Sequence, residues 1–283
     1  MNKQVKTKID PESGQSVVVG RGIEWTDYTW NPVGGCQHGC KWRMPDGTIA
    51  ICYADSTVQV MKSGYPQGFE HHYWRPHMLT YPLGQKRPSK IFMDSMSDLM
   101  GRWVPREQVE QVFAICRQAH WHTFQLLTKN APHLLNFDLP KNVWVGVSAP
   151  PTFMFGGELT LSQQRRFVFK QLDTLAMLKA RGHPVCWMSI EPLSFNIASI
   201  FEEWMADDQT RGQPFGFPLD WAVIGAASDG KKYFQPTAHD VEECHRVLRA
   251  HGCRIFHKGN LEWEPHLEEW PEASRELKQE VLI

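Results

Sequence analysis

The chain lacks the features that would tie it to a polyanion, a membrane or an oxidising compartment. Its formal net charge is −1 over 283 residues. No bulk electrostatic grip on nucleic acid follows from that total, although a local basic groove is compatible with it. No stretch approaches the roughly 20 apolar residues needed to cross a bilayer. The polar N-terminus, MNKQVKTKIDPESGQS, has no apolar segment of the secretory type. The expectation is a cytoplasmic protein without membrane contact. Seven cysteines in so long a chain are no disulfide framework; in a reducing compartment they suit metal binding or free thiols. There is no biased tract and no solenoid-type repeat.

What is present is an alternation. Short apolar runs begin at Ile91, Thr123, Val143, Val185, Trp221 and Arg254. Each is rich in β-branched or aromatic residues and ends in small or polar ones, as buried parallel strands do. The stretches between them read as helices. Pro105 opens one, with Val109, Val112, Phe113 and Cys116 on its apolar stripe. Another spans about 161–181 and stops at Gly182. Thr237 with Asp240 resembles a capping box, and Gly252 ends that helix. Residues 202–220 read as a loop insertion.

Strand alternating with helix predicts an α/β fold with a parallel sheet. The pattern leaves an open doubly wound sheet and a partial barrel equally available. In both, chemistry collects at the C-terminal ends of the strands. Polar residues follow the apolar runs directly: Ser95, Ser97 and Asp98, then Lys129, Ser148, Ser189 and Glu191, then Lys258. Glu191 precedes Pro192 and is expected to face the mouth of the sheet, where a carboxylate binds hydroxyls or accepts a proton. An ion pair with a neighbouring base is the competing reading.

The segment NPVGGCQHGCKWRMPDGTIAICYAD holds Cys36, Cys40 and Cys52, with three and then eleven residues between them. Three thiolates can hold three irons of a 4Fe–4S cube and leave the fourth open. Zinc held by the cysteines and His38, buried core thiols and a catalytic thiol remain open on spacing alone. Cys116, Cys186, Cys244 and Cys253 lie on apolar faces and read as core. HHYWRPH at His71 reads as an aromatic loop rather than a metal site. Trp42, Arg43, Trp74, Arg75, Arg102 and Trp103 are candidates for a basic, aromatic rim.

The blocks EWTDYTWNPVGGC, CYAD, IFMDSMSDLM, LLTKNAP, NVWVGVSAP, MSIEPL and DWAVIGAASDG occur in that order over most of residues 22–260. Together they resemble a phage-associated family with a three-cysteine motif that is regarded as radical-SAM-like. The family usually places two residues between its last two cysteines; here KWRMPDGTIAI intervenes, with a Pro-Asp-Gly turn. We read it as an inserted hairpin-like loop that still delivers Cys52. The resemblance implies a partial TIM-like (βα)6-7 barrel over 22–262, an N-terminal arm over 1–21 and a C-terminal helical extension over 263–283.

It also implies a 4Fe–4S cluster on Cys36, Cys40 and Cys52, bound S-adenosylmethionine, and a 5′-deoxyadenosyl radical that abstracts hydrogen from an unidentified substrate. The cofactor site looks like that of spore photoproduct lyase. By that likeness Ser95 or Ser97, Lys129 and Ser148 hold the cofactor, with Asp98 accepting from its ammonium and Ser189 nearby. Glu191 is the candidate catalytic group. A nucleic acid, nucleotide or modified base is the implied substrate class. A flavodoxin or ferredoxin is the implied electron donor, a partner protein is allowed, and the compartment is the cytoplasm of a bacterial host. The triplet Gly156, Gly157 and Glu158 resembles the ammonium-binding motif of such enzymes but follows the wrong strand, so it reads as chance. The alternative from another class is a zinc-stabilised, non-catalytic protein that binds nucleic acid or a partner.

Overall fold

The computed structural model describes residues 1–9, 16–44, 46–228 and 233–272. Its centre is an eight-stranded sheet. Seven strands run parallel, in chain order: β1 (Tyr28–Trp30), β2 (Lys90–Met93), β3 (Thr123–Thr128), β4 (Val143–Ser148), β5 (Cys186–Ile190), β6 (Trp221–Ile224) and β7 (Arg254–His257). The eighth, Asn2–Lys3, adds antiparallel to β1 at the edge. Six of the parallel strands coincide with the apolar runs. β1 has only three residues, too few to show a period.

The helices that matter for the site are α1 (Tyr53–Val60), α2 (Arg106–Gln118), α3 (Leu161–Ala180), α4 (Ile197–Gln209) and α5 (Ala238–Ala250). Thr160 and Gln163 form a reciprocal capping box on α3, and Thr237 caps α5 by accepting from the Asp240 N–H. The apolar stripes of α2 to α5 pack on one face of the sheet, against alternate strand residues such as Ile91, Phe124, Val145, Met188, Ala222 and Ile255. The residues between them point the other way. Phe92, Trp144, Trp187, Trp221 and Phe256, joined by Trp25, fill the opposite face with their own side chains. Trp25, Trp187 and Trp221 are linked at centroid spacings of 5.1–6.2 Å. Helices on one face and a strand order without reversal exclude the doubly wound alternative.

Two expectations are corrected. Residues 202–209 belong to α4, where Trp204 is fully buried and its indole N–H donates to Asp173, so the expected loop begins only after Gln209. A short polar stretch with one apolar flank disguised that helix. Within the expected arm, Val5–Ile9 and Ser16–Arg21 pair as a hairpin. Of the expected C-terminal helical extension, residues 263–272 form no helix, and 273–283 lie outside the described residues. Residues 267–269 instead run beside β7, with Glu268 bridged to Phe256. No helix among the described residues is long and apolar enough to cross a membrane.

Candidate active site

A cavity of about 610 Å³ opens over the C-terminal ends of the parallel strands. Cys36, Cys40 and Cys52 line one side of it; Lys129, Ser148, Ser189, Glu191 and Lys258 line the rest. Strand periodicity explains the second group. Inward residues alternate, so Trp144 and Ser148 share a face of β4, and Trp187, Ser189 and Glu191 share one along β5 and its end. Ser148 and Ser189 are register partners on adjacent strands.

The cysteine loop is held from several directions. Val33–Gly34 pairs with Tyr73–Trp74. The Val33 N–H donates to Asp94 Oδ1 at 3.0 Å, and the Cys36 N–H donates to the Phe69 carbonyl at 2.7 Å. Ser97 Oγ donates to the Gly35 carbonyl at 2.7 Å. Gly35 has φ +82°, and a Cβ there would lie 1.7 Å from the His71 carbonyl oxygen, so no other residue fits. The aromatic segment at His71 thus braces the cysteine loop. Arg75 adds to that brace, lying over the rings of Tyr65 and Tyr73 at 4.7 and 5.6 Å.

The eleven residues between Cys40 and Cys52 form an antiparallel hairpin, Lys41–Arg43 with Ile49–Ile51. Its base closes where the Cys52 N–H donates to the Cys40 carbonyl at 3.1 Å. Cys52 then becomes the N-cap residue of α1. The hairpin is extended by Phe153–Met154 and Gly157–Glu158 into a four-stranded sheet. Glu158 accepts two hydrogen bonds from Arg43, both at 3.0 Å. The Gly-Gly-Glu triplet is therefore a turn and a tie to the inserted hairpin.

Electrostatics mark the thiol side. Burial pushes the Cys40 thiol up to about 11, against the opposing charge of Lys129. Burial, then the Asp98 charge, pushes Cys36 well up. Burial alone would lower the Lys129 ammonium, but Cys40, Cys52, Asp98 and Cys36 together hold it above its ordinary value. The ammonium thus lies in the field of all three thiols. Burial also works to raise Asp98, yet its hydrogen bond and charge interaction with His38 and the Lys129 N–H keep it low. Its Oδ2 meets His38 Nε2 at 2.7 Å and accepts from Lys129 N at 2.9 Å, while Oδ1 accepts from Met100 N at 3.0 Å. Asp98, expected to meet a ligand ammonium, directs both oxygens into the protein.

Ser95 and Ser97, expected as cofactor contacts, likewise bond within the protein, Ser95 Oγ to Asn31 Oδ1 at 3.1 Å and Ser97 to Gly35. Glu191 lines the cavity and makes the ion pair offered as the competing reading. Its Oε2 pairs with Lys258 Nζ at 2.8 Å, and Oε1 is buried without a partner in the cavity wall. Of the proposed basic, aromatic rim, Trp42 lines the cavity, Arg43 pairs with Glu158, Arg75 lies under the cysteine loop, and the Trp103 indole N–H is buried. Cys116, Cys186, Cys244 and Cys253 are buried core thiols.

Of two further lining residues, Tyr53 escaped the sequence reading, and Asp94 heads the 94–98 segment that carries the expected cofactor contacts. Asp94 has φ +52°, is 3% exposed and leaves Oδ2 without a partner; burial raises its pKa well above the usual carboxylate range. Tyr53 donates its hydroxyl to the Ser95 carbonyl at 2.7 Å. Position was the available signal, since Asp94 directly follows β2 and Tyr53 follows Cys52. Among the described residues no group of three His, Cys, Asp or Glu side chains is arranged to hold a single metal ion.

The chain belongs to a family described as protein of unknown function (DUF5131), whose sequence pattern matches residues 20–281. No curated protein sequence matches it. Its fold is similar to solved radical SAM enzymes. A spore photoproduct lyase complexed with dinucleoside spore photoproduct is 10% identical, with 90% of this chain and 80% of that one covered and a TM-score of 0.43. A radical SAM methyltransferase from Sphaerobacter thermophilus is 10% identical, with 90% and 77% covered and a TM-score of 0.49.

Proposed function

We propose that this protein is a radical SAM enzyme whose cavity takes a 4Fe–4S cluster and S-adenosylmethionine. One observation carries the reading: three thiols and the Lys129 ammonium converge on one cavity at the C-terminal ends of parallel strands. The donor set fits the group, because thiolates are the ligands that iron–sulfur clusters take and three of them leave one iron open. When bound, the pair supplies a reducing electron and a carbon-centred radical for hydrogen abstraction. On this reading the consecutive, singly wound sheet is a partial (βα) barrel.

The protein's own groups take definite parts. Cys36, Cys40 and Cys52 ligate iron. Lys129 pairs with the methionyl carboxylate. Asp94, with Oδ2 unpartnered, accepts from the ammonium in place of Asp98. Asp98 is a positioning residue that ties His38 and the Lys129 backbone together. Ser148 and Ser189 face the ribose, while Ser95 and Ser97 hold the cysteine loop onto the end of β2. Glu191 serves the substrate side, and a nucleic acid, nucleotide or base is the substrate class. A phage-type origin, a cytoplasmic setting and a flavodoxin or ferredoxin as donor belong to the same proposal.

Anaerobic purification tests it. The expected product is a brown protein with about four irons per chain. Reduced with dithionite in S-adenosylmethionine, it should release 5′-deoxyadenosine, and Cys36→Ala should lose both colour and product. A colourless protein with about one zinc would overturn the reading.

A further inference from the structure

The far wall of the cavity carries a second set of groups. Lys258 and Glu191 form an ion pair at 2.8 Å with side chains 30% and 20% exposed. They close over Gly225, where a Cβ would lie 3.1–3.2 Å from Lys258 Cδ, Asn260 Oδ1 and Glu191 Cγ. The backbone there admits the three side chains because it carries none itself. Asn260 is fixed by two bonds to the Ala226 backbone, at 3.2 and 2.9 Å. The pair's own charges cancel, and the Glu24 carboxylate also acts on Lys258.

What it offers a ligand is a donor beside an acceptor. Lys258 Nζ keeps two N–H groups beyond its bond to Glu191, and the Glu191 side chain, 20% exposed, lines the cavity beside it. Two half-exposed rings flank the pair. Tyr53 is 56% and Tyr233 57% exposed. Tyr53 lines the cavity, and Tyr233 is the register partner of Ser228, which lines it too. Ile49, from the inserted hairpin, adds an exposed apolar edge to the same mouth. Aromatic rims of this kind suit a flat ring.

We infer that Glu191 and Lys258, flanked by Tyr53 and Tyr233, form the substrate subsite for a planar, uncharged heterocycle with an N–H beside a carbonyl, the lactam or imide edge of a base. The ligand N–H donates to the Glu191 carboxylate, and its carbonyl accepts from Lys258 Nζ. This deepens the substrate class proposed above and rests on that reading of the cavity. A net-neutral pair discriminates by hydrogen-bond pattern rather than by charge, so a methyl group on the ring nitrogen is excluded by the loss of its donor.

The test is equilibrium binding to the full-length, anaerobically prepared protein by calorimetry. Uridine and inosine are compared with 3-methyluridine and 1-methylinosine. The expected result is at least tenfold weaker binding of each methylated partner, with the difference reduced to threefold or less in Glu191→Gln. The wild-type comparison needs no variant to fold. Equal binding of methylated and unmethylated ligands, binding of neither, or preference for an acetylated dipeptide amide overturns the subsite. Iron content is read on the same preparation. A clustered protein that ignores the methyl group overturns the subsite alone; a protein without iron that still discriminates overturns the radical reading and keeps the subsite.

Discussion

The Cys52 N–H donates to the Cys40 carbonyl at 3.1 Å across eleven intervening residues. The hairpin turns a long sequence gap into direct adjacency, so the intervening residues cost the thiol set nothing in reach. A surface loop is tolerated when its two ends meet, because closure entropy grows slowly with length. The strand pairing at its base then sets where Cys52 enters α1.

Cys52→Ala should therefore behave like Cys36→Ala. Iron and sulfide, assayed after anaerobic reconstitution, should fall from about four per chain to below about one. Cys116→Ala, in the core on α2, should leave iron unchanged. Full iron in the Cys52 variant would remove it from the ligand set.

Lys129→Ala should separate cofactor binding from cluster assembly. The ammonium faces the thiols but is not itself an iron ligand. The variant should keep its colour and bind S-adenosylmethionine roughly tenfold or more weaker, the scale of a lost charge-assisted contact. Unchanged affinity by equilibrium dialysis would refute the assigned role.

Gly35→Ala tests the brace on the cysteine loop. The new Cβ would meet the His71 carbonyl at 1.7 Å with φ already at +82°. Backbone strain and overlap together should destabilise the fold by about 3 kcal/mol. The loss should appear as a lower urea midpoint and lower iron. Gly47→Ala, where a Cβ would meet nothing within 4 Å, should cost much less, although its φ of +85° still disfavours a side chain.

Acid should weaken the fold through two buried histidines. Burial, followed for His257 by the neighbouring charges of His245, His266 and Arg249 and opposed by Glu269, brings His257 down to about 4. Burial brings His183 down to about 4 as well. His257 Nδ1 accepts from the Leu267 N–H, so its proton is on Nε2, which donates to His245 Nε2 at 2.9 Å. Both histidines are neutral in the folded state near pH 5, whereas the unfolded chain protonates them below about 6.5. Stability is thus fully present above about 6.5 and is lost as pH falls towards 4, on the order of 3 kcal/mol for each. Urea midpoints between pH 7 and 4.5 should fall steadily, and less steeply in His257→Gln. A flat series would refute the assignment.

Much of this was legible one residue at a time. Ile91, Thr123, Val143, Trp221 and Arg254 begin runs that became parallel strands, because a strand buried on both faces must be apolar throughout. Alternation along those strands put Ser148, Ser189 and Glu191 on one wall. Helix ends at Thr160 and Thr237 followed from local hydrogen bonding, which needs no distant partner. The Pro-Asp-Gly turn announced the hairpin between the cysteines.

Other features depended on contacts between segments far apart in the chain. Whether Glu191 is bare or paired rests on Lys258, 67 positions later, and the parallel pairing of β5, β6 and β7 brings them to 2.8 Å. Asp98 looked like a ligand contact and became a tie to His38, while Asp94, on the same loop, was left with an open oxygen. Residue type and strand position are local properties that sequence carries. The partner that satisfies a buried charge is a property of packing, since it depends on which segments fold against one another. The three cysteines of the motif were thus determined by sequence; their meeting Lys129 in one cavity was decided by the sheet.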